Sequence, residues 1–292
     1  MPAPIRPLHL AVALDRPGTH EEEPYVHAAR LAERGRFDFV TLGDGTLDDG
    51  GALAVLSRIA PATERIGLVP TVITTRTEPF RVSRAVAALD RASRGRAGWA
   101  ISTAEGAWHE ADAVAEAVAR LWDGREDDGA GIRDRSPQGR PVTVVDATAP
   151  ASRDTAARHA DVVLLRAERA HDPAVFRARA DDLREAVRIH GHGPGGHRPV
   201  VLASVPVALH TTADAVALAD QVAHWYATGA ADGFHLRPDD PDRDLPRLTD
   251  GTAAVLQHRG LLRRFYPGAT LREHLDLARP ADRRAPAKGA TA

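Results

Sequence analysis

Hydrophobic and polar positions alternate in two rhythms along this chain, and one stretch shows both. From Thr63 to Thr103, Ile66, Leu68, Val69 and Val72 form an apolar run ending in TVITT, the pattern of a strand. Glu78-Pro79 then opens a helix, because proline suits the first turn and an acid there complements the helix dipole. Val82, Val86 and Leu89 follow at spacings of four and three, one face of that helix. Gly95 marks the stop, and Ala97 to Ser102 returns as a second strand. Such a unit predicts parallel strands joined by a right-handed crossover.

The same rhythm fills the rest of the chain. Leu8 to Leu14 alternates as strand one, and Asp15 to His20 is a loop. Glu21 to Arg34 is helical, with acids in its first turn and Gly35 at its end. Phe37 to Leu42 is strand two, followed by the turn Gly43-Asp44-Gly45, and Gly51 to Ala60 is helix two. Beyond the opening unit, Trp108 to Trp122 is a helix with Val114, Val118 and Leu121 on one face. The polar, Gly-rich stretch Asp123 to Gly139 is a loop. Pro141 to Asp146 is strand five, and Ser152 to His159 a short helix. Asp161 to Leu165 is strand six, a continuous apolar run suited to burial on both faces. Pro173 to His190 is a helix and GHGPGGH a turn. Val200 to Leu209 is strand seven, in which Pro206 sits awkwardly. Ala213 to Thr228 is a helix ended by Gly229. Asp232 to Leu236 is strand eight, and Leu245 to Arg259 the last helix.

Eight strands, each followed by a helix, in about 260 residues predict an α/β protein, one (β/α)8 TIM barrel. The barrel is assigned to residues 1–278, and 279–292, rich in Pro, Ala and charge, to a flexible tail. A doubly wound open sheet would be expected to carry a Gly-rich turn after its first strand. Asp15-Arg16-Pro17-Gly18 contains no GxGxxG, so the barrel is preferred.

Composition narrows the function. The 292 residues carry a formal net charge of -2, which argues against a nucleic-acid partner. With no cysteine, disulfides, thiolate metal sites and cysteine nucleophiles are excluded. Lys288 is the only lysine and lies in the tail, which excludes a Schiff-base lysine in the folded body. No secretory leader and no membrane-length apolar run is visible, so a cytoplasmic protein with no membrane partner is expected.

In a barrel of this kind the site lies at the carboxyl ends of the strands. That rule selects Asp15, Asp44, Thr71 with Thr74 and Thr75, Ser102 with Thr103, Asp146, Arg166, His210, and His235 with Arg237. The set is poor in paired acids and bases and rich in hydroxyls and small residues, more a ligand-binding floor than a hydrolase centre. Asp44, between two glycines, reads equally as a turn former. Thr71 to Thr75 reads equally as β-branched strand. His235, alternating with Phe234 and Leu236, is first a packed, hydrogen-bonded histidine, and with Asp44 it is a candidate catalytic group. His190, His192 and His197 lie in a Gly/Pro turn without a rigid frame, so no metal site is assigned. HExxH, GxSxG and Walker patterns are all missing.

At TERIGLVPTVITTRTEPF and LDRASRGRAGWAIST the sequence resembles the bacterial luciferase-like flavin monooxygenases. The branch it looks most like holds nitrilotriacetate and dibenzothiophene-sulfone monooxygenases and the larger subunit of pristinamycin IIA synthase. AERGRFDFVTLGDG, ARLWDG, PQGRPVTVV, AARHADVVLL, ATGAADGFHLRP and LQHRGLLRRFYPGATLREHLDLARP extend the resemblance over nearly the whole chain. It implies a luciferase-like barrel in which FMN, reduced by a separate flavin reductase, activates oxygen for attack on a small organic substrate. It also implies a homodimer. A bound flavin would meet Asp44, Thr71, Thr74, Ser102, Trp108 and Thr148, with Arg153 standing in for a phosphate cradle.

The sequence departs from the family at informative places. Where the family reads GRAGWNxxTS, this chain has Trp99, Ala100, then Thr103 and Ala104. Where QAGxSxxG would cradle the flavin phosphate, it has Val145, Asp146, Ala147, Thr148, Ala149, Pro150, Ala151 and Ser152. The family's HxxRY is replaced around Ala104 and Ala107-Trp108. Two insertions that would cover the site are shortened or missing. These departures keep a flavin-free barrel, catalytic or a partner protein, and a deazaflavin-dependent oxidoreductase open as alternatives.

Overall fold

The computed structural model describes residues 7–16, 22–43, 51–123, 136–167, 172–190 and 198–280. Asp44 with its turn, Glu21, the glycine-rich turn after His190, most of the Asp123 to Gly139 loop and the tail beyond Pro280 lie outside the described residues. Eight parallel strands close into one ring in chain order. They are β1 (His9–Ala13), β2 (Phe39–Leu42), β3 (Gly67–Ile73), β4 (Gly98–Ser102), β5 (Val142–Asp146), β6 (Val162–Arg166), β7 (Val200–Val207) and β8 (Gly233–Pro238). The helices between them are α1 (Glu23–Arg34), α2 (Gly51–Ile59), α3 (Pro79–Ala92), α4 (Trp108–Trp122), α5 (Arg153–His159), α6 (Pro173–His190) and α7 (Thr212–Ala227). The predicted barrel is therefore observed. Among the described residues, no helix is long and apolar enough to cross a membrane.

Period two along each strand divides the core into two parts. Ala11, Phe39, Val69, Val142, Val144, Val162, Leu164, Val200 and Leu202 pack together inside the ring. Their neighbours Leu10, Val12, Val40, Leu68, Trp99, Val163, Val201 and Phe234 face outward onto the helices. Both sets are buried, which is why the strands read as continuous apolar runs. The ring closes where β8 meets β1, with Ala11 opposite His235. A Cβ on Gly233 would stand 2.0 Å from the His9 carbonyl oxygen, so the seam needs a residue without one.

Several ends shift by a residue or two from the sequence reading, and β7 and the last helix do so for a visible physical reason. β7 ends at Val207, and Pro206 is tolerated within it. The Ser204 carbonyl accepts from Ala167 N–H on the β6 side. Pro206, two residues on, turns its nitrogen to that same side, so its missing N–H falls where the pairing with β6 stops. The last helix begins earlier than predicted, as α8 (Pro241–Arg247). The Asp240 carboxylate caps it by accepting from Asp242 and Arg243 N–H, and Pro241 takes the first turn. Pro246 cannot continue the hydrogen-bond ladder, and the helix widens into a π turn over Leu248–Ala253 before α9 (Ala254–His258).

The amino end of the ring is sealed by the closing segment. A short helix, α10 (Leu271–His274), unforeseen from the sequence, is held by a capping box between Thr270 and Glu273. Leu271, Leu275 and Leu277 enter the inner core. Leu271 sits against Gly67 and Gly98, where added Cβ atoms would come to 2.6 Å and 3.4 Å of its methyls. Three aspartates fasten this end, each accepting a backbone N–H from a neighbouring strand: Asp38 from Leu10, Asp161 from Thr143 and Asp232 from Val201. Each also meets an arginine: Arg263, Arg272 and Arg184 respectively.

Candidate active site

The carboxyl end of the ring is the opposite of this sealed base. Following the inner face of each strand upward brings Asp15, Thr41, Thr71, Ile73, Ala100, Ser102, Asp146, Arg166, Ser204, His235 and Arg237 to one mouth. On β3 and β4, Thr71, Ile73, Ala100 and Ser102 are only half-buried. Ala100 lies level with Thr71 and with Val144, which is fully buried. Solvent thus reaches down to Thr71, Ala100 and Ser102 on the β3–β4 side of the ring, with Ile73 beside them.

His235 lies across the ring beneath the mouth and is 5% exposed. One ring nitrogen, Nε2, is 2.9 Å from Thr41 Oγ1 on β2, and the other, Nδ1, is 3.0 Å from Ser204 Oγ on β7. A neutral imidazole has one donor and one acceptor, and two hydroxyls can satisfy both. Burial, reinforced by Arg237, pushes its pKa down to about 3, so the ring is uncharged near neutrality. His235 is therefore a packed, hydrogen-bonded histidine. Thr41 and Ser204, its two partners, were absent from the sequence candidates.

A layer of charge rims the mouth above it. Arg166 Nε lies 3.2 Å from Asp146 Oδ2. Asp15 accepts from Gly43 N–H at 2.7 Å, and burial raises its pKa against the opposing pull of that hydrogen bond. Arg237 is lowered by burial first and by Arg166 next.

The other sequence candidates are spread around the mouth and beyond it. Thr71 and Ser102 face the open floor. Thr74 is buried, its hydroxyl donating to the Ser102 carbonyl at 2.9 Å, and Thr75 Oγ1 accepts from Ala104 N–H. Both threonines tie the end of β3 to that of β4. Trp108 opens α4, half-buried against the outer core. At the end of β5, Thr148 N–H donates to Asp146 Oδ1 at 2.9 Å, and Thr148 Oγ1 accepts from Arg166 N–H at 2.8 Å. Arg153 is exposed at the start of α5. His210 is exposed, with its N–H donating to Asp214. Asp44 is outside the described residues. Among the described residues, no group of three His, Cys, Asp or Glu side chains could hold a metal ion.

A barrel sealed at one end, with small residues flooring the other, belongs to a known class. The model of the luciferase-like monooxygenase family matches residues 13–287, and the chain belongs to that family. It is similar to N-acetyl-S-(2-succino)cysteine monooxygenase of Bacillus subtilis (strain 168), at 24% identity over 87% of this chain and 90% of that protein. It is also similar to the nitrilotriacetate monooxygenase component of Aminobacter aminovorans, at 24% identity over 88% and 90%. One pristinamycin IIA synthase polypeptide of Streptomyces pristinaespiralis is 30% identical over 66% of this chain and 59% of that protein. The first of these alignments spans 396 positions against 292 residues here, so that relative carries segments this chain lacks. In fold, the chain matches EDTA monooxygenase from Chelativorans sp. BNC1 with a TM-score of 0.81, at 19% identity over 94% of this chain and all of that one.

Proposed function

We propose that the protein is a two-component monooxygenase, taking reduced FMN from a separate flavin reductase and oxygenating a small organic substrate at the barrel mouth. Membership of the luciferase-like monooxygenase family, over residues 13–287, is the observation that carries this reading. The reading also takes the protein to be a homodimer. Reduced flavin supplies two electrons, so that one atom of O2 enters the substrate and the other leaves as water.

The residues fit the flavin unevenly. Thr71, Ala100 and Ser102 form a half-buried floor, compatible with a planar ring lying over β3 and β4. The chain's part there is to seat the ring against small side chains and keep bulk water from it. His235 stays uncharged beneath the mouth and holds β2, β7 and β8 in register through its two hydroxyl partners. The turn after β5 does not fit a phosphate. The Thr148 N–H is already engaged by Asp146, whose carboxylate would repel an incoming anion.

That mismatch supports a second reading, a flavin-free barrel that is either a cofactor-independent enzyme or a partner protein. A third, deazaflavin use, draws on the likeness in fold to a coenzyme F420-dependent tetrahydromethanopterin reductase from Methanopyrus kandleri (TM-score 0.66, 14% identity). Anaerobic titration with reduced FMN, read by quenching of the four tryptophans, separates them. The proposal expects saturable binding tighter than about millimolar, roughly 4 kcal/mol of affinity. A Thr71→Trp variant, which fills the floor, should bind at least about tenfold more weakly. Failure of FMN to saturate would favour the flavin-free barrel, and tighter binding of the deazaflavin would favour the third reading.

A further inference from the structure

Arg237, half-buried at the mouth, stands apart among the described polar side chains because its Nε is buried and unpartnered. Five buried side-chain nitrogens among the described residues have no hydrogen-bond partner: Arg16 Nε, Arg184 Nε, Arg237 Nε, one Nη of Arg263 and His274 Nδ1. Four of them belong to side chains that are otherwise held. Arg16 forms two 2.7 Å bonds to Asp242, and Arg184 pairs with Asp181 and Asp232. Arg263 pairs with Asp38, and His274 Nε2 meets the Gly268 carbonyl. The side chain of Arg237 makes no hydrogen bond to any described residue. Structures rarely leave a buried donor without a partner, and an arginine least of all.

Among the described residues, no carboxylate is bonded to Arg237, and the two that act on its charge are committed elsewhere. Arg237 is on the inner face of β8, two residues above His235, and leans into the mouth. The nearby carboxylates are Asp146 and Asp15. Asp146 is already bonded to Arg166 and to Thr148 N–H. Asp15 is bonded to Gly43 N–H, and burial works against its charge. His235 below is neutral and contributes no negative charge. Arg166, on β6, brings a second guanidinium close enough to disfavour the charge on Arg237. Two neighbouring guanidiniums, one without a hydrogen-bond partner among the described residues, present planar donor forks of the kind that grip carboxylate or phosphate in a bidentate way.

We infer that Arg237, assisted by Arg166, binds an oxyanion group of the small molecule that occupies the barrel mouth. The inference rests on reading the mouth as the ligand site, and it adds the chemical class of the ligand: a carboxylate or a phosphate. The group has two possible carriers, the phosphate of a flavin mononucleotide or an acidic group of the substrate. Either carrier would meet its anchor here, on the β6–β8 side, and not at the occupied turn after β5.

The test uses the full-length protein without flavin. Inorganic phosphate and succinate are titrated by calorimetry at low ionic strength into the wild type and into Arg237→Gln, Arg237→Lys and Arg166→Gln variants. Saturable binding of at least one anion is expected. Arg237→Gln should weaken it by about tenfold or more, and Arg237→Lys by less, since lysine keeps the charge but loses the fork. Absence of saturable binding of both anions to the wild type overturns the inference, whatever the variants do. So does an Arg237→Gln protein, folded by circular dichroism, that binds as the wild type does.

Comparing FMN with riboflavin then identifies the carrier. If the preference for FMN collapses in Arg237→Gln, the anion is the flavin phosphate. If that preference is unchanged and succinate still binds at saturating FMN, the anion belongs to the substrate. Anion binding through Arg237 without binding of either flavin would uphold this inference and remove the flavin proposal. FMN binding with neither anion probe bound would do the reverse.

Discussion

His235 makes the barrel sensitive to acid in a way that can be calculated and isolated. Its pKa falls from an ordinary 6.5 to about 3 in the folded protein because the ring is buried between Thr41 and Ser204. A base whose folded pKa is depressed binds protons more readily in the unfolded chain. Its contribution to stability is therefore complete above about pH 6.5 and is lost as pH falls toward 3. At about 1.4 kcal/mol per unit, the limiting loss is about 5 kcal/mol, of which about 2 kcal/mol is gone by about pH 5. The perturbation is His235→Gln, which keeps a donor and an acceptor but cannot titrate. Urea unfolding of both proteins at about pH 7 and about pH 5 gives four stabilities. His274, pushed down to about 4 by burial, and the carboxylates titrate in both proteins and cancel in the difference. The wild type should lose about 2 kcal/mol more than the variant between the two pH values. Equal losses, within about 0.5 kcal/mol, would mean that His235 is not held neutral by burial, and the account of the floor beneath the mouth would fail.

Two further predictions concern the base and the seam of the ring. Arg272→Met removes the guanidinium that pairs with Asp161, which is buried and bonded to Thr143 N–H. The expected loss is about 3–5 kcal/mol in urea unfolding, largely recovered by adding Asp161→Asn. A loss below about 1 kcal/mol would show the pair to be dispensable. Gly233→Ala forces a methyl against the His9 carbonyl at the β8–β1 seam. It should lower stability by about 3 kcal/mol or more, seen as a fall in melting temperature, and a fully stable variant would show that the seam can spread.

Much of the ring was legible because its signals are local. The DVVLL run of β6, the spacing of Val82, Val86 and Leu89 on α3 and the stop at Gly95, whose φ is +90°, each need only a short window of sequence. The missed elements had local signals too. Asp240-Pro241 is a helix start, and Thr270 with Glu273 is a capping box, but both lie beside stretches that read as loop. The mouth was legible in its list of residues and not in their relations. Strand alternation could point His235 and Arg237 to one face. It could not show that His235 finds hydroxyls on β2 and β7, nor that Arg237 finds no partner among the described residues. Those facts depend on residues separated by up to 194 positions and on the closure of the ring, which no local pattern encodes.

The seal at the barrel's base imposes an order on synthesis. The first aspartate to fasten that end, Asp38, waits for Arg263, and the inner face of β2 waits for Leu271, Leu275 and Leu277. During synthesis the eight strands leave the ribosome before the segment that carries Arg263 and Leu271 to Leu277, so the bottom of the ring stays apolar and open until that segment follows. Truncated products should therefore attract chaperones or stick to one another, while the finished chain corks itself.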